Sequence, residues 1–183
     1  MYPPNIVDLS KELVNTILKE EIYKNNSNLL QGMTEGKKVL FFLLDGLGSH
    51  QLESNEGLLL ENRVLDINTT FPSTTNVVLT SFCTASMPRE HGVLSYFMFD
   101  QDFGGIFNAL VWNKAEENII KAENYLDKKT IWEIFREHKV SASVFQPNDL
   151  STSILSKNIY KGAKITTYET IENLFDKLIE NKE

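Results

Sequence analysis

Apolar residues fall into two patterns along this chain. In the first they recur at helical spacing. Leu9, Leu13, Val14, Ile17 and Leu18 share one face of a first helix that Asp8 is placed to cap. Val77, Val78, Leu79 and Phe82 turn inward on a helix over 75–84. Thr130-x-x-Glu133 forms a capping box, and Ile131, Ile134 and Phe135 follow it as a core face. The clearest helix is the last, with Ile171, Leu174, Phe175, Leu178 and Ile179 at i, i+3, i+4, i+7 and i+8. In the second pattern the apolar residues are unbroken or alternate. The run Val39-Leu40-Phe41-Phe42-Leu43-Leu44 predicts a strand over 38–44 buried on both faces. Shorter strands are expected at 64–68, 94–99 (with Phe97, Met98 and Phe99 as strand core) and 106–112. Another is expected where Val140, Ala142 and Val144 alternate with Ser141 and Ser143. Loops or turns fall at 25–28, 88–92 and 102–105.

Helices interleave with strands. This predicts an α/β chain with a mainly parallel sheet and helices on both faces, a three-layer α/β/α arrangement. No repeat, low-complexity tract or linker divides the sequence, so residues 1–183 are read as one domain. At 183 residues and 42% hydrophobic content the chain is long enough for a real core. Its net charge of -7 argues against non-specific binding to nucleic acid or to an anionic membrane. It leaves room for a small phosphate ester, because a bound cation reverses the local field. One cysteine, Cys83, allows no internal disulfide and fits a reducing compartment. The N-terminus shows no basic-then-apolar leader, and no apolar run reaches the length of a membrane helix. A cytoplasmic location is the expectation.

The chemistry starts where the long apolar run ends. Asp45 follows Leu44 directly and is followed by Gly46-Leu47-Gly48. In open α/β sheets, ligands bind at the carboxyl ends of strands, and a carboxylate there suits a divalent metal ion. An acid after a strand is also an ordinary turn or cap residue. Thirty residues on, Ser73, Thr74 and Thr75 stand where a helix begins. Free backbone N–H groups and the helix dipole favour an anion at that place, though Ser and Thr are also the common N-caps.

Taken together, these segments resemble a known family. Leu43-Leu44-Asp45-Gly46-Leu47-Gly48, Phe71-Pro72-Ser73-Thr74-Thr75, Leu79-Thr80-Ser81, Thr84-Ala85 and Pro88-x-x-His91-Gly92-Val93 are similar to the alkaline phosphatase superfamily, and within it to the type I phosphodiesterase/nucleotide pyrophosphatase group. The resemblance runs on through 130–135, 144–147 and 161–163. It spans all 183 residues and corresponds to the N-terminal half of a full-length member.

The resemblance implies an α/β/α fold, two metal ions (usually zinc) and a threonine nucleophile acting on phosphate diesters or nucleotides. It implies that Asp45 binds metal. It also implies that Thr75, nine residues before the Thr84-Ala85 pair, is the nucleophile and touches the metal. Thr70, directly before Phe71-Pro72, is the competing position, and Thr74 a third. Hydrolysis of a phosphomonoester, sulfate or phosphonate is the alternative within the superfamily.

Two departures stand out. The group completes its metal site with Asp-x-x-x-His, Asp-His and a later His, and none of these occurs here. His50, His91 and His138 are poor replacements. An alternative follows, in which the chain is a catalytically silent truncated or split half that needs a complementing C-terminal half. The group also places an Asn five residues after the motif His to hold a phosphate oxygen. This chain has Tyr96 there, which leaves nucleotide specificity open.

Other patterns are bland. Gly32-x-x-x-Gly36-Lys37-Lys38 has the wrong spacing for a phosphate loop and precedes the strand it should follow. Cys83 reads as core. Tyr160 and Tyr168 read as packing residues.

Overall fold

The computed structural model describes residues 3–25, 27–30, 38–54, 57–101, 104–110 and 125–181. Helix α1 covers Ile6–Leu18. Its N-cap is Asn5, whose Oδ1 accepts from the Val7 and Asp8 amides at 2.8 and 3.3 Å. The Asp8 carboxylate answers by accepting from the Asn5 amide at 3.0 Å. Asp8, expected as the cap, is therefore the third-residue partner in a capping box. A purely local reading misses this because Asn5 and Asp8 satisfy two orphan N–H groups reciprocally.

Helix α4, Thr75–Thr84, packs against α1. In the chain between them come the short helices α2 (Ser49–Glu53) and α3 (Leu58–Glu61), and α5 (Pro88–His91) follows α4. Val7, Leu13 and Val14 of α1 join Phe82 and Cys83 of α4 in the core. Ser10 is buried in that contact and donates to the Phe82 carbonyl. Burial pushes the Cys83 thiol up to about 12, so it packs and does not react.

Strands β1 (Phe97–Asp100) and β2 (Gly105–Asn108) form an antiparallel hairpin, Phe97 facing Asn108 and Asp100 facing Gly105. Period-2 alternation sends Phe107 to the core with Met98 packed against it, while Phe97 and Phe99 face outward. The expectation that all of 97–99 is core is thereby corrected. Trp112 lies outside the described residues.

The second half forms one βαβ unit. Helix α6, Ile131–Glu137, opens with the Thr130 capping box, as expected. Strand β3 (Ser143–Pro147) leads through a 3-10 turn (Asn148–Leu150) and helix α7 (Ile154–Ile159) to β4 (Lys164–Tyr168). β3 and β4 pair in parallel, Ser143 opposite Lys164 and Pro147 opposite Tyr168. Gly162 permits a close approach. Its φ is 102°, and a Cβ there would stand 2.5 Å from the Glu133 amide nitrogen. The last helix, α8, covers Ile171–Glu180.

The fold is thus mixed α/β. Among the described residues, parallel strand pairing is confined to β3 and β4. The stretch 64–68 contributes a single bridge, Asn68 with Asn5.

The largest difference from expectation is at 38–44. This segment is not a buried strand. Its six apolar residues 39–44 are each between 38% and 62% exposed. Among the described residues no backbone hydrogen bond reaches them. Phe41 stacks on Phe82, ring centres 4.9 Å apart. A central strand needs neighbours on both edges and cover on both faces; among the described residues no strand pairs with this segment. The apolar stripe of α8 is likewise open, with Ile171, Phe175 and Ile179 58%, 52% and 60% exposed. Among the described residues, no helix is long and apolar enough to cross a membrane.

Candidate active site

Asp45 ends the exposed run, and the turn at Gly46, φ 69°, follows it. Phe41 lies on Phe82, so the run passes beside α4 and delivers Asp45 to the α4 N-terminus. There Thr75 Oγ1 donates to Asp45 Oδ2 at 3.0 Å. The Tyr96 hydroxyl in turn donates to Thr75 Oγ1, also at 3.0 Å. The direction is fixed by inventory. A carboxylate only accepts, so the single Thr75 proton goes to Asp45, and Tyr96 must supply the other bond.

Thr75 is the first residue of α4, and Thr74 is its N-cap. The Thr74 hydroxyl does not cap the helix. It donates to Asn76 Oδ1 at 2.9 Å. The amides of Thr75, Asn76 and Val77 therefore have no protein acceptor among the described residues. Three N–H groups at the positive end of a helix dipole, beside the Thr75 hydroxyl, make a place for an anion. Asn76 is fully buried and donates through Nδ2 to the Ser95 carbonyl at 2.8 Å. The next carbonyl, that of Tyr96, accepts from the Ala109 amide at 2.6 Å. The backbone at 95–96 is thus held from both sides.

The competing threonine is placed differently. Thr70 is 3% exposed, and its hydroxyl turns to the Pro72 carbonyl at 3.4 Å. It does not reach Asp45.

None of the three histidines bonds to Asp45 or Thr75. His50 lies on α2, exposed. His138 ends α6 with Nδ1 on the Ile134 carbonyl at 2.9 Å, and its Nε2 is 3.7 Å from Glu20. His91 is buried, with Nε2 at 2.8 Å from Ser81 Oγ, while Nδ1 accepts from the Val93 amide at 3.1 Å. Desolvation lowers its pKa to about 4, against a smaller opposing pull from Glu90. Neutral and fully bonded, His91 locks the end of α5 to α4.

A match to a family profile covers residues 39–180, and that family is described as Type I phosphodiesterase / nucleotide pyrophosphatase. The chain belongs to this family. Comparison with curated proteins gives no match, and neither does comparison with solved structures. The matched region begins with the apolar run, so the family relationship includes the segment that carries Asp45.

The metal expectation can be weighed against the donor set. Among the described residues no three of His, Cys, Asp or Glu gather into a group able to hold a metal ion. Asp45 and Thr75 offer two oxygen ligands, whereas protein zinc sites take three or four. The residues present do not fit a zinc site. Sequence reasoning found the position of Tyr96 but not its bond to Thr75; the fixed offset from His91 was the available signal.

Proposed function

We propose that this chain is the nucleophile-bearing part of a phosphodiester hydrolase, with Thr75 as nucleophile. The observation that carries this reading is the 3.0 Å bond from Thr75 Oγ1 to Asp45 at an uncapped helix N-terminus, within a chain of the phosphodiesterase family. On this reading Thr75 Oγ1 attacks phosphorus and its proton passes to Asp45. The bond to the leaving alkoxide breaks, and the alkoxide takes a proton from water. Water then releases the phosphoryl group from Thr75. The free amides of 75–77 hold phosphoryl oxygens as charge builds on them. A small phosphate ester or nucleotide suits the net charge of -7 better than a nucleic acid or a membrane surface does. Asp45 and Thr75 do not make a zinc site alone. On our reading metal enters only with ligands from elsewhere. The free buried thiol of Cys83 suits a reducing, cytoplasmic setting.

The exposure of 39–44 favours a companion reading. The chain by itself is a silent half, and a complementing polypeptide pairs with this segment and supplies the missing groups. Turnover of bis(4-nitrophenyl) phosphate against 4-nitrophenyl phosphate, with and without Zn²⁺, tests both readings. A phosphodiesterase prefers the bis-ester. Thr75→Val then lowers kcat by at least about a thousandfold, as expected for loss of a covalent nucleophile, and Thr70→Val does not. Full activity in Thr75→Val overturns the nucleophile assignment. No turnover in the wild-type chain supports the silent half.

A further inference from the structure

We propose that Tyr96 is the positioning residue of Thr75, fixing which way its hydroxyl oxygen can react. The inference rests on the reading of Thr75 as nucleophile and adds a residue to it. The oxygen of a threonine has one proton and two lone pairs. In Thr75 the proton is committed to Asp45 Oδ2 at 3.0 Å, and one lone pair receives the Tyr96 O–H at 3.0 Å. One lone pair is left. With Cβ, the Asp45 bond and the Tyr96 bond occupying three tetrahedral directions, an electrophile can approach along the fourth alone. Removing the Tyr96 hydroxyl opens a second direction and frees the Thr75 side chain to turn about its Cα–Cβ bond.

The placement of Tyr96 is supported from its backbone outward. Asn76, the residue after Thr75, holds the Ser95 carbonyl at 2.8 Å. The hairpin holds the Tyr96 carbonyl through the Ala109 amide at 2.6 Å. Donor and nucleophile are therefore fixed to the same first turn of α4, so their separation does not depend on a flexible loop. Orientation of this kind is worth orders of magnitude in rate when the reacting atom would otherwise sample several directions. As the proton leaves for Asp45, the Tyr96 O–H also becomes a charge-assisted donor to the developing alkoxide, a stronger bond than the one it makes to the neutral hydroxyl.

The test is made on the chain itself, without turnover. The Thr75 χ1 angle is read from three-bond NMR couplings, and the Tyr96 environment from its ¹³Cζ resonance. In wild type the couplings report one rotamer. In Tyr96→Phe they fall towards rotamer-averaged values, although the ring is retained. In Thr75→Val, which keeps the shape and removes the hydroxyl, the Tyr96 ¹³Cζ resonance moves; in Thr75→Ser, which restores a hydroxyl, it returns. Wild-type couplings in Tyr96→Phe, or a ¹³Cζ resonance indifferent to Thr75→Val, overturn the proposal and leave the nucleophile reading untouched. Failure of the nucleophile reading is seen separately, as full bis-ester turnover in Thr75→Val.

Discussion

Acid should weaken this fold in part through one imidazole. His91 is 6% exposed and satisfied only as the neutral tautomer: Nδ1 accepts from Val93, and Nε2–H donates to Ser81, whose own proton goes to the Val77 carbonyl at 2.8 Å. A second ring proton would point Nδ1–H at the Val93 N–H and put a charge in the core. Burial holds the folded pKa at about 4, below the ordinary 6.5. Between those values the unfolded chain takes up a proton that the folded chain refuses. The stabilisation is therefore complete above pH 6.5 and is lost as pH falls towards 4. Each tenfold in proton affinity is worth about 1.4 kcal/mol, so the loss between pH 7.5 and pH 4.5 is on the order of 2–3 kcal/mol. That is a large part of the 5–15 kcal/mol typical of a domain. Urea unfolding at the two pH values and constant ionic strength measures it. His91→Gln keeps a donor for Ser81, loses about 1–2 kcal/mol at pH 7.5 from the unpaired Val93 amide, and no longer carries the His91 share of the pH dependence. Carboxylates titrate in both proteins and cancel in the comparison. An identical drop in stability for wild type and His91→Gln refutes the argument.

Three further outcomes follow from the packing. Gly162→Ala places a Cβ 2.5 Å from the Glu133 nitrogen at a φ of 102°, so it should cost more than about 2 kcal/mol in urea unfolding. Thr130→Val removes a hydroxyl that accepts from the Glu133 amide at 3.1 Å and donates to the Lys161 carbonyl; a loss of about 2–3 kcal/mol is expected, from the cap and one stranded carbonyl together. Leu40→Ser and Phe42→Ser, at positions 62% and 49% exposed, should each cost less than about 1 kcal/mol. A cost above about 3 kcal/mol at either position would mean that the run is buried in solution.

The sequence was most legible where structure is local. Thr130 and Glu133 make their box and Thr75 opens α4, because each depends on residues within a few positions; the turn expected at 88–92 is instead the short helix α5 over Pro88–His91. Legibility fell where a partner lies far off in the chain. The run 39–44 has the composition of a central strand, but strand formation is decided by neighbours, and no strand pairs with it among the described residues. The spacing of Ile171, Phe175 and Ile179 gives the helix α8, while their exposure is not legible, since periodicity gives a face and not what covers it. In the site, the thirty-residue separation of Asp45 and Thr75 was readable because the family motifs bracket it. The Tyr96 bond was not, because it depends on the buried Asn76 holding residue 95.

The bare segment 39–44 also bears on how such experiments are done. Six apolar residues without glycine, proline or charge are the composition of a cross-β spine, and among the described residues no backbone hydrogen bond reaches them. Lys38 and Asp45 flank the segment as charges of opposite sign, in the position of gatekeepers against self-association. Neutralising Asp45 therefore does two things at once. It takes the acid from Thr75, and it strips one gatekeeper from an adhesive segment, so on the proposed reading Asp45→Asn is expected to lose soluble protein as well as chemistry. Asp45→Glu keeps the charge and moves the carboxylate, and it is the variant in which chemistry and solubility come apart.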